Sequence, residues 1–277
     1  MKFISTVINV GAEKPFELIH FSDIHLTYAD ERDDRRKLAL AAERRRYFAD
    51  AQANLDAVIA EAKRTGALLV STGDLIDFVS FANLDAARKF TGENDCFFAA
   101  GNHEFSLYVG EAFEDAEYRS RSLETVQSAF KNDIRFSARA VNGVNIIAVD
   151  NGYYLIDRPQ LNALKSECQK GLPVILLMHT PLHTDALCSE MLGRRGEPCA
   201  YLMGSPESVI AAYSSHRARQ QRPDAITREA FDYICSEPAI KAILAGHIHG
   251  EHIEDEIRPG LTQYIVGTDT ARRITIM

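Results

Sequence analysis

Five times in this chain, an apolar run that reads as a buried strand stops and polar, ligand-type side chains follow at once. Residues 96–100 lead into Gly101-Asn102-His103-Glu104. The same design recurs as Asp23-Ile24-His25 after 16–21, Gly73-Asp74 after 67–71, His179 after 172–178, and Gly246-His247-Ile248-His249 after 241–245. An Asn and a His at the carboxyl end of a buried strand are poorly placed for packing. They are well placed for chemistry, because open α/β sheets bind ligands beyond their strand ends. The five segments are therefore expected to meet.

The rest of the chain reads as the frame that brings them together. Residues 2–10 and 16–21 read as strands, followed by a polar stretch and one Ala-rich helix running to about Arg64. A helix is expected over 81–90 and an acidic amphipathic one over 111–130. Residues 134–141 and 144–149 form a hairpin around Asn142-Gly143. Helices over 158–170 and 225–236 flank 181–224, an irregular stretch that reads as an insertion over the site or a surface loop. Strands near 252–257, 262–266 and 272–276 close the chain. Strands interleaved with helices, with antiparallel pieces at both ends, predict a layered α/β domain over 1–277. Its mixed sheets should pack face to face with helices outside.

Composition removes several classes. The net charge of −8 argues against a nucleic-acid binder, which needs a basic surface. An anionic substrate would need local attraction, and two divalent cations would supply it. The five cysteines form no CxxC pair, so neither a disulfide framework nor a zinc ribbon is suggested. No uninterrupted apolar run approaches the roughly 18 residues of a membrane span. The N-terminus lacks the apolar core of a signal peptide, and a cytoplasmic location is expected.

The strand-end residues themselves point to metal. Taken singly, a strand-end His is usually a hydrogen-bonded structural residue, and a Gly-Asp is a turn. Taken together, Asp23, His25, Asp74, Asn102, His179, His247 and His249 make a donor set. The i, i+2 spacing of Asp23 with His25, and of His247 with His249, would put each pair on one side of an extended chain. Mixed nitrogen and oxygen donors suit Mn, Fe, Zn, Co or Ni better than Ca or Mg. Seven donors are too many for one such ion and right for two sharing a carboxylate, about 3.5–4 Å apart.

The order D-x-H, G-D, G-N-H-E, H, G-H-x-H resembles the calcineurin-like metallophosphoesterase superfamily, and among its branches the bacterial phosphodiesterases and phosphatases. The resemblance implies a sandwich of two mixed β-sheets flanked by helices. It implies one metal on Asp23, His25, Asp74 and His249, and a second on Asp74, Asn102, His179 and His247. It implies that His103 meets the substrate as a catalytic group while metal-bound hydroxide attacks phosphorus in line. Asp74 is followed by Leu75-Ile76-Asp77-Phe78, so the Arg of the Ser/Thr protein phosphatases is missing. Asp77 and His25 also replace what purple acid phosphatases carry, and a Tyr-bound ferric ion is not expected.

A small phosphodiester or nucleotide is the expected substrate, with a nucleotidase-like phosphomonoesterase as the alternative. A nuclease or a non-catalytic metal scaffold ranks lower, because the chain is acidic and no motif residue is lost. His183 and Asn151 are candidate substrate contacts, set against hydrogen-bonding and turn roles. Glu104 is expected to orient its neighbours. Arg44-Arg45-Arg46 reads as a solvated helix face, with contact to a substrate phosphate as the alternative. No feature bears on oligomeric state.

Overall fold

The computed structural model describes residues 1–277 except 112, 114, 196–198 and 251. In chain order its strands are β1 (Lys2–Ile8), β2 (Phe16–Phe21), β3 (Leu68–Ser71), β4 (Cys96–Phe98), β5 (Phe136–Val141), β6 (Val144–Val149), β7 (Val174–Met178), β8 (Ile240–Ala245), β9 (Ile253–Arg258), β10 (Leu261–Ile265) and β11 (Thr270–Ile276). The helices are α1 (Arg35–Arg44), α2 (Ala51–Thr65), α3 (Phe81–Glu93), α4 (Ala116–Ser120), α5 (Leu123–Gln127), α6 (Arg158–Cys168), α7 (Asp185–Arg195), α8 (Glu207–Ile210), α9 (Ser215–Gln221) and α10 (Ala225–Ser236).

Two mixed sheets form, in the orders β1-β11-β2-β3-β4 and β5-β6-β7-β8-β10-β9. Side chains alternate across each strand, so a sheet with two apolar faces must be covered on both. Leu18, Val70 and Phe97 point inward and meet Ile146, Ala148, Ile175, Leu177 and Leu244 of the other sheet. Their neighbours Ile19, Leu69 and Phe98 point outward, onto Leu55 and Val58 of α2 and Leu84 and Phe90 of α3. On the far side Ile147, Leu176 and Ile243 pack on Leu161 and Leu164 of α6 and Ala230 and Ile234 of α10. The result is the expected layering of helix, sheet, sheet and helix. The strands β2, β3 and β4 run parallel in one sheet, and β6, β7 and β8 in the other. Their carboxyl ends deliver the motif loops. Among the described residues no helix is long and apolar enough to cross a membrane.

Three expectations of helical structure change. The single helix to Arg64 is broken into α1 and α2. Asp34 caps α1, its side chain accepting from the Lys37 amide. The break lets Phe48 stack on His25 with ring centres 4.2 Å apart. Tertiary contact there overrides Ala-rich propensity. The helix expected over 111–130 is two short pieces, α4 and α5, with residues 112 and 114 outside the described ones. Side chains at the junction are taken up by the preceding loop: the Tyr118 hydroxyl accepts from the Leu107 amide (2.8 Å) and Ser122 Oγ donates to the Phe105 carbonyl (3.1 Å). The irregular stretch 181–224 contains α7, α8 and α9, and only its residues 196–198 lie outside the described ones.

The inter-sheet face also carries polar side chains. His20 is fully buried on β2, with Nε2 3.0 Å from Thr72 Oγ1 and Arg272 of β11 directly opposite in register. Burial, and then the Arg272 charge, push its pKa down from 6.5 to about 3. Below pH 6.5 the unfolded chain therefore binds a proton here that the folded chain refuses. This contribution to stability is present above pH 6.5 and lost as pH falls toward 3. His20→Leu should accordingly show a smaller drop in melting temperature between pH 7 and pH 5 than the wild type. Equal drops would show that His20 does not set the acid sensitivity.

Candidate metal centre

The motif residues do converge, but not on extended backbone. Asp23, His25, Asp74, His247 and His249 all have positive φ, between 47° and 72°. The i, i+2 pairs are thus brought inward by left-handed turns rather than by strand alternation. Of the described non-glycine residues with positive φ, all but Asn142 lie at or beside this site, Tyr154 and Tyr201 included. Such conformations cost about 1–3 kcal/mol each and persist where the surroundings enforce them.

The motif glycines make the crowding possible. A Cβ on Gly73 would stand 2.3 Å from the Gly101 nitrogen. One on Gly246 would stand 1.9 Å from Ser22 Oγ and 2.5 Å from an Asp23 carboxylate oxygen. The loops after β3 and β4 touch backbone to backbone, and the loop after β8 sets its backbone against the Ser22 and Asp23 side chains of the loop after β2, at points where no further side chain fits.

Two clusters result. Asp23, His25, Asp74 and His249 each offer a donor atom within 4.8 Å of the others, and Asp74, His179 and His247 do the same. Asn102 joins the second cluster, with Oδ1 3.2 Å from His179 Nε2. The Asp74 carboxylate is common to both. Its Oδ1 accepts from the His103 amide (2.8 Å), while its Oδ2 is buried without a hydrogen bond, 3.7 Å from His25 Nε2 and 3.2 Å from His179 Nε2.

The donor atoms are aimed by their far sides. His25 Nδ1 donates to Asp77 Oδ1 (2.9 Å), and His179 Nδ1 donates to the Thr72 carbonyl (2.7 Å). With the ring neutral, each therefore points an Nε2 lone pair into the site. His25 Nε2 faces His249 Nε2 at 2.9 Å, and His179 Nε2 faces His247 Nδ1 at 3.0 Å. Nitrogens that close, beside an orphaned carboxylate oxygen, fit a cation in each cluster.

The charge pattern agrees. Burial opposes a proton on His179, but the Asp74 charge outweighs it and raises the pKa to about 9. Its partner His247 is lowered by burial and by His179. Similarly His25 is raised against burial by Asp23 and Asp77, while burial lowers His249. Each facing pair takes up one positive charge, not two. Asp23 stays ionised despite burial because His249 and His25 bond to it.

Around the clusters lie groups that hold rather than face the site. Asp77 is buried, and three groups keep its carboxyl ionised against burial: Arg44, His103 and His25. Arg44 Nε and Nη2 donate to it at 2.6 and 2.9 Å. Arg44 is thus tied to Asp77 rather than standing free in solvent, while Arg45 and Arg46 are exposed, as the solvated-face reading has them. His103 Nδ1 donates to the Asp77 carbonyl (2.7 Å), with Asp77 Oδ1 at 3.2 Å. Burial opposes its charge, yet Asp74 and then Asp77 raise His103 to about 10. The Tyr154 hydroxyl lies 2.7 Å from His247 Nε2, which leaves His247 Nδ1 to face the cluster. Nothing in the sequence marks Tyr154, because its role depends on a left-handed φ of 62°.

The two candidate substrate contacts are placed elsewhere. Asn151 is fully buried, and its Oδ1 accepts from the His179 and Thr180 amides while Nδ2 donates to the Thr180 carbonyl. It fixes the turn that presents His179, with no edge left for substrate. His183 bonds to Ser205 Oγ (3.2 Å) and Asp185 (3.4 Å) and is absent from the lining of the cavity over the clusters. That cavity, about 250 Å³, has Asn102, His103 and His247 in its floor and Tyr201, Arg217 and Gln220 in its wall. A second cavity of about 520 Å³ opens on the other side of His249, lined by Arg44, Tyr47 and Phe48.

The family model described as calcineurin-like phosphoesterase matches residues 16–251. No curated protein sequence matches the chain. Among solved structures, a dimetal phosphatase from Danio rerio is 14% identical, over 91% of this chain and 88% of that one, with a TM-score of 0.50. The phosphopantetheinyl hydrolase PptH of Mycobacterium tuberculosis is 10% identical over 91% and 89% of the two chains, with a TM-score of 0.48. The calcineurin-like phosphoesterase YfkN of Bacillus subtilis is 13% identical over 92% and 82%, with a TM-score of 0.42. At these identities the dimetal phosphatase shows a shared fold, two mixed sheets flanked by helices.

Tyr154→Phe should weaken manganese binding by about 10–100-fold, the usual effect of removing a group that orients a ligating His. Titration calorimetry reads this directly, and an unchanged affinity would remove Tyr154 from the site.

Proposed function

The chain belongs to the calcineurin-like phosphoesterase family, a family of phosphoester hydrolases, and from that premise we propose that it is a dinuclear metal-dependent phosphodiesterase acting on a small phosphodiester such as a nucleotide derivative. The observation that carries this reading is the pair of donor clusters sharing Asp74, with His103 at their rim.

In this reading Asp23, His25, Asp74 and His249 hold one divalent ion, and Asp74, Asn102, His179 and His247 the other. Such a pair supplies charge for the phosphoryl oxygens and a water acidified to near neutral pH. The chain's own residues do the rest. Asp74 Oδ2, free of hydrogen bonds, is the shared donor. Asp77 holds His25 on one side and His103 on the other, so the rim group keeps a fixed relation to the first cluster. His103, held protonated through Nδ1, presents Nε2 to the cavity and can give a proton to the leaving oxygen. A diester carries two substituents on phosphorus, and the two cavities that border His249 offer a place for each. That favours a diester over the monoester that a nucleotidase would take.

The deciding experiment compares bis(p-nitrophenyl) phosphate with p-nitrophenyl phosphate, using protein loaded in turn with Mn, Fe, Zn, Co or Ni. The diester should be cleaved with the higher kcat/KM for at least one metal. A preference for the monoester would move the assignment to a phosphomonoesterase, and hydrolysis of neither would favour a metal-binding scaffold.

Two variants test the roles. His103→Ala should keep both metals and lose about 10²–10⁴-fold in turnover, the range for a proton-transfer group; normal turnover would take His103 out of the reaction. Asp74→Asn should lose metal from both clusters, and two equivalents retained by elemental analysis would refute the shared carboxylate.

A further inference from the structure

We propose that Arg217 of α9 binds a second anionic group of the substrate, so that the preferred substrate carries a phosphate next to the one that is cleaved, as in a diphosphate or pyrophosphate-linked ester. The inference rests on the phosphoester reading above and assigns its substrate class.

Arg217 lies in the wall of the 250 Å³ cavity above His103 and His247. Its guanidinium carbon stands 4.9 Å from the centre of the Tyr201 ring. That ring in turn stands 6.1 Å from the His247 ring, inclined at 67°. Tyr201 is held with φ 59°, a conformation retained at a cost, and it is the piece that seats the guanidinium over the cavity. The helix carrying Arg217 is anchored by buried Ala218 and Gln221 and capped by Ser214, whose side chain accepts from the Arg217 amide.

The guanidinium is left with donors to spare. Nη1 donates to Gln220 Oε1 at 2.8 Å. Among the described residues no carboxylate pairs with it, whereas Arg44, Arg119, Arg135, Arg222, Arg272 and Arg273 each have one. In a chain of net charge −8 a half-buried cation facing a cavity open to solvent, with no acidic partner among the described residues, is an anion receptor in waiting. Its planar fork matches the oxygens of a phosphate.

The position also decides which phosphate. The Tyr201 ring lies near both the guanidinium and the His247 ring, and Arg217 lines the same cavity as the donor clusters while belonging to neither. A cation beside the clusters rather than within them is placed for a group next to the one they hold. A lone phosphate held at the clusters leaves it unused, while a second phosphate bonded to the first meets it.

The test uses full-length, manganese-loaded protein and two non-ester probes, inorganic phosphate and methylenediphosphonate. Calorimetric Kd values are compared for wild type, Arg217→Gln and Arg217→Lys, with metal content and melting temperature checked for each. Arg217→Gln should weaken methylenediphosphonate by about tenfold or more, as expected for a hydrogen bond to a charged group, and weaken phosphate far less. Arg217→Lys should recover part of the loss, because it restores charge without the fork. If Arg217→Gln weakens both probes equally, or neither, the assignment is wrong. The two readings fail separately. Wild type that cleaves neither nitrophenyl ester would sink the phosphoesterase reading, while the Kd values still judge Arg217. Ester hydrolysis with no split between the probes would sink Arg217 alone.

Discussion

The Glu104 carboxylate is fully buried and accepts from four backbone amides, those of Gly101 and Asp74 on Oε2 and of Leu75 and Ile76 on Oε1, at 2.7–3.3 Å. Those amides belong to two different loops, one after β3 and one after β4. The carboxylate therefore sets where Asp74 stands relative to Asn102 and His103. The link is closed from the other side when the His103 amide donates to Asp74 Oδ1. Such an acceptor is hard to replace, since each buried amide left without a partner costs about 1–3 kcal/mol. Burial, and then the Asp74 charge, push the Glu104 pKa up to about 7, against the amides that stabilise its charged form. Positive charge on Asp74 would relieve that repulsion. The clamp and the cation sites are thus electrostatically dependent on each other.

The same loops explain why the frame must be rigid. Left-handed backbone at Asp23, His25, Asp74, His247 and His249 is unfavourable at every one of these positions. A marginally packed scaffold would relax it. Here the strands that carry these loops are buried on both faces, between the inter-sheet core and the outer helices. The strain at the ends is tolerated because the strands beneath have no freedom to shift.

The sequence carried the layered architecture, and it carried the convergence of the strand ends, because both follow from apolar runs and residue type. It did not carry the path of the backbone between donors. The i, i+2 spacing fits extended chain as well as left-handed turns, and only the contacts of Gly73 and Gly246 distinguish them. Groups that act through their far side were also illegible. Asn151 looked like a turn residue near the site, and it is a turn residue, but one whose side chain fixes His179. Tyr154 and Arg44 come from loops and helix ends whose position depends on tertiary packing. The broken helix at 45–50 is the plainest case. Local propensity favours continuation, yet the break places Arg44 on Asp77 and Phe48 on His25, and those two contacts belong to the site.

Four carboxylates, Asp23, Asp74, Asp77 and Glu104, lie at this site with at most 1% exposure. Buried charge of one sign is costly unless it is paired, and the arginine paired with it here, Arg44, is spent on Asp77. Glu104 is satisfied by amides, which are dipoles and not charges. Asp23 and Asp74 are left facing histidines, and histidine is a weak counter-ion at neutral pH because its ordinary pKa lies near 6.5. The raised values of His25 and His179 show those rings being drawn into that role, while His247 and His249 are pushed the other way. A divalent ion in each cluster satisfies the same carboxylates without asking any imidazole to hold a proton. It also frees the inward-facing nitrogens to act as donors. The folded chain thus concentrates negative charge where its own cations are too few, and that deficit is the physical reason the site calls for metal.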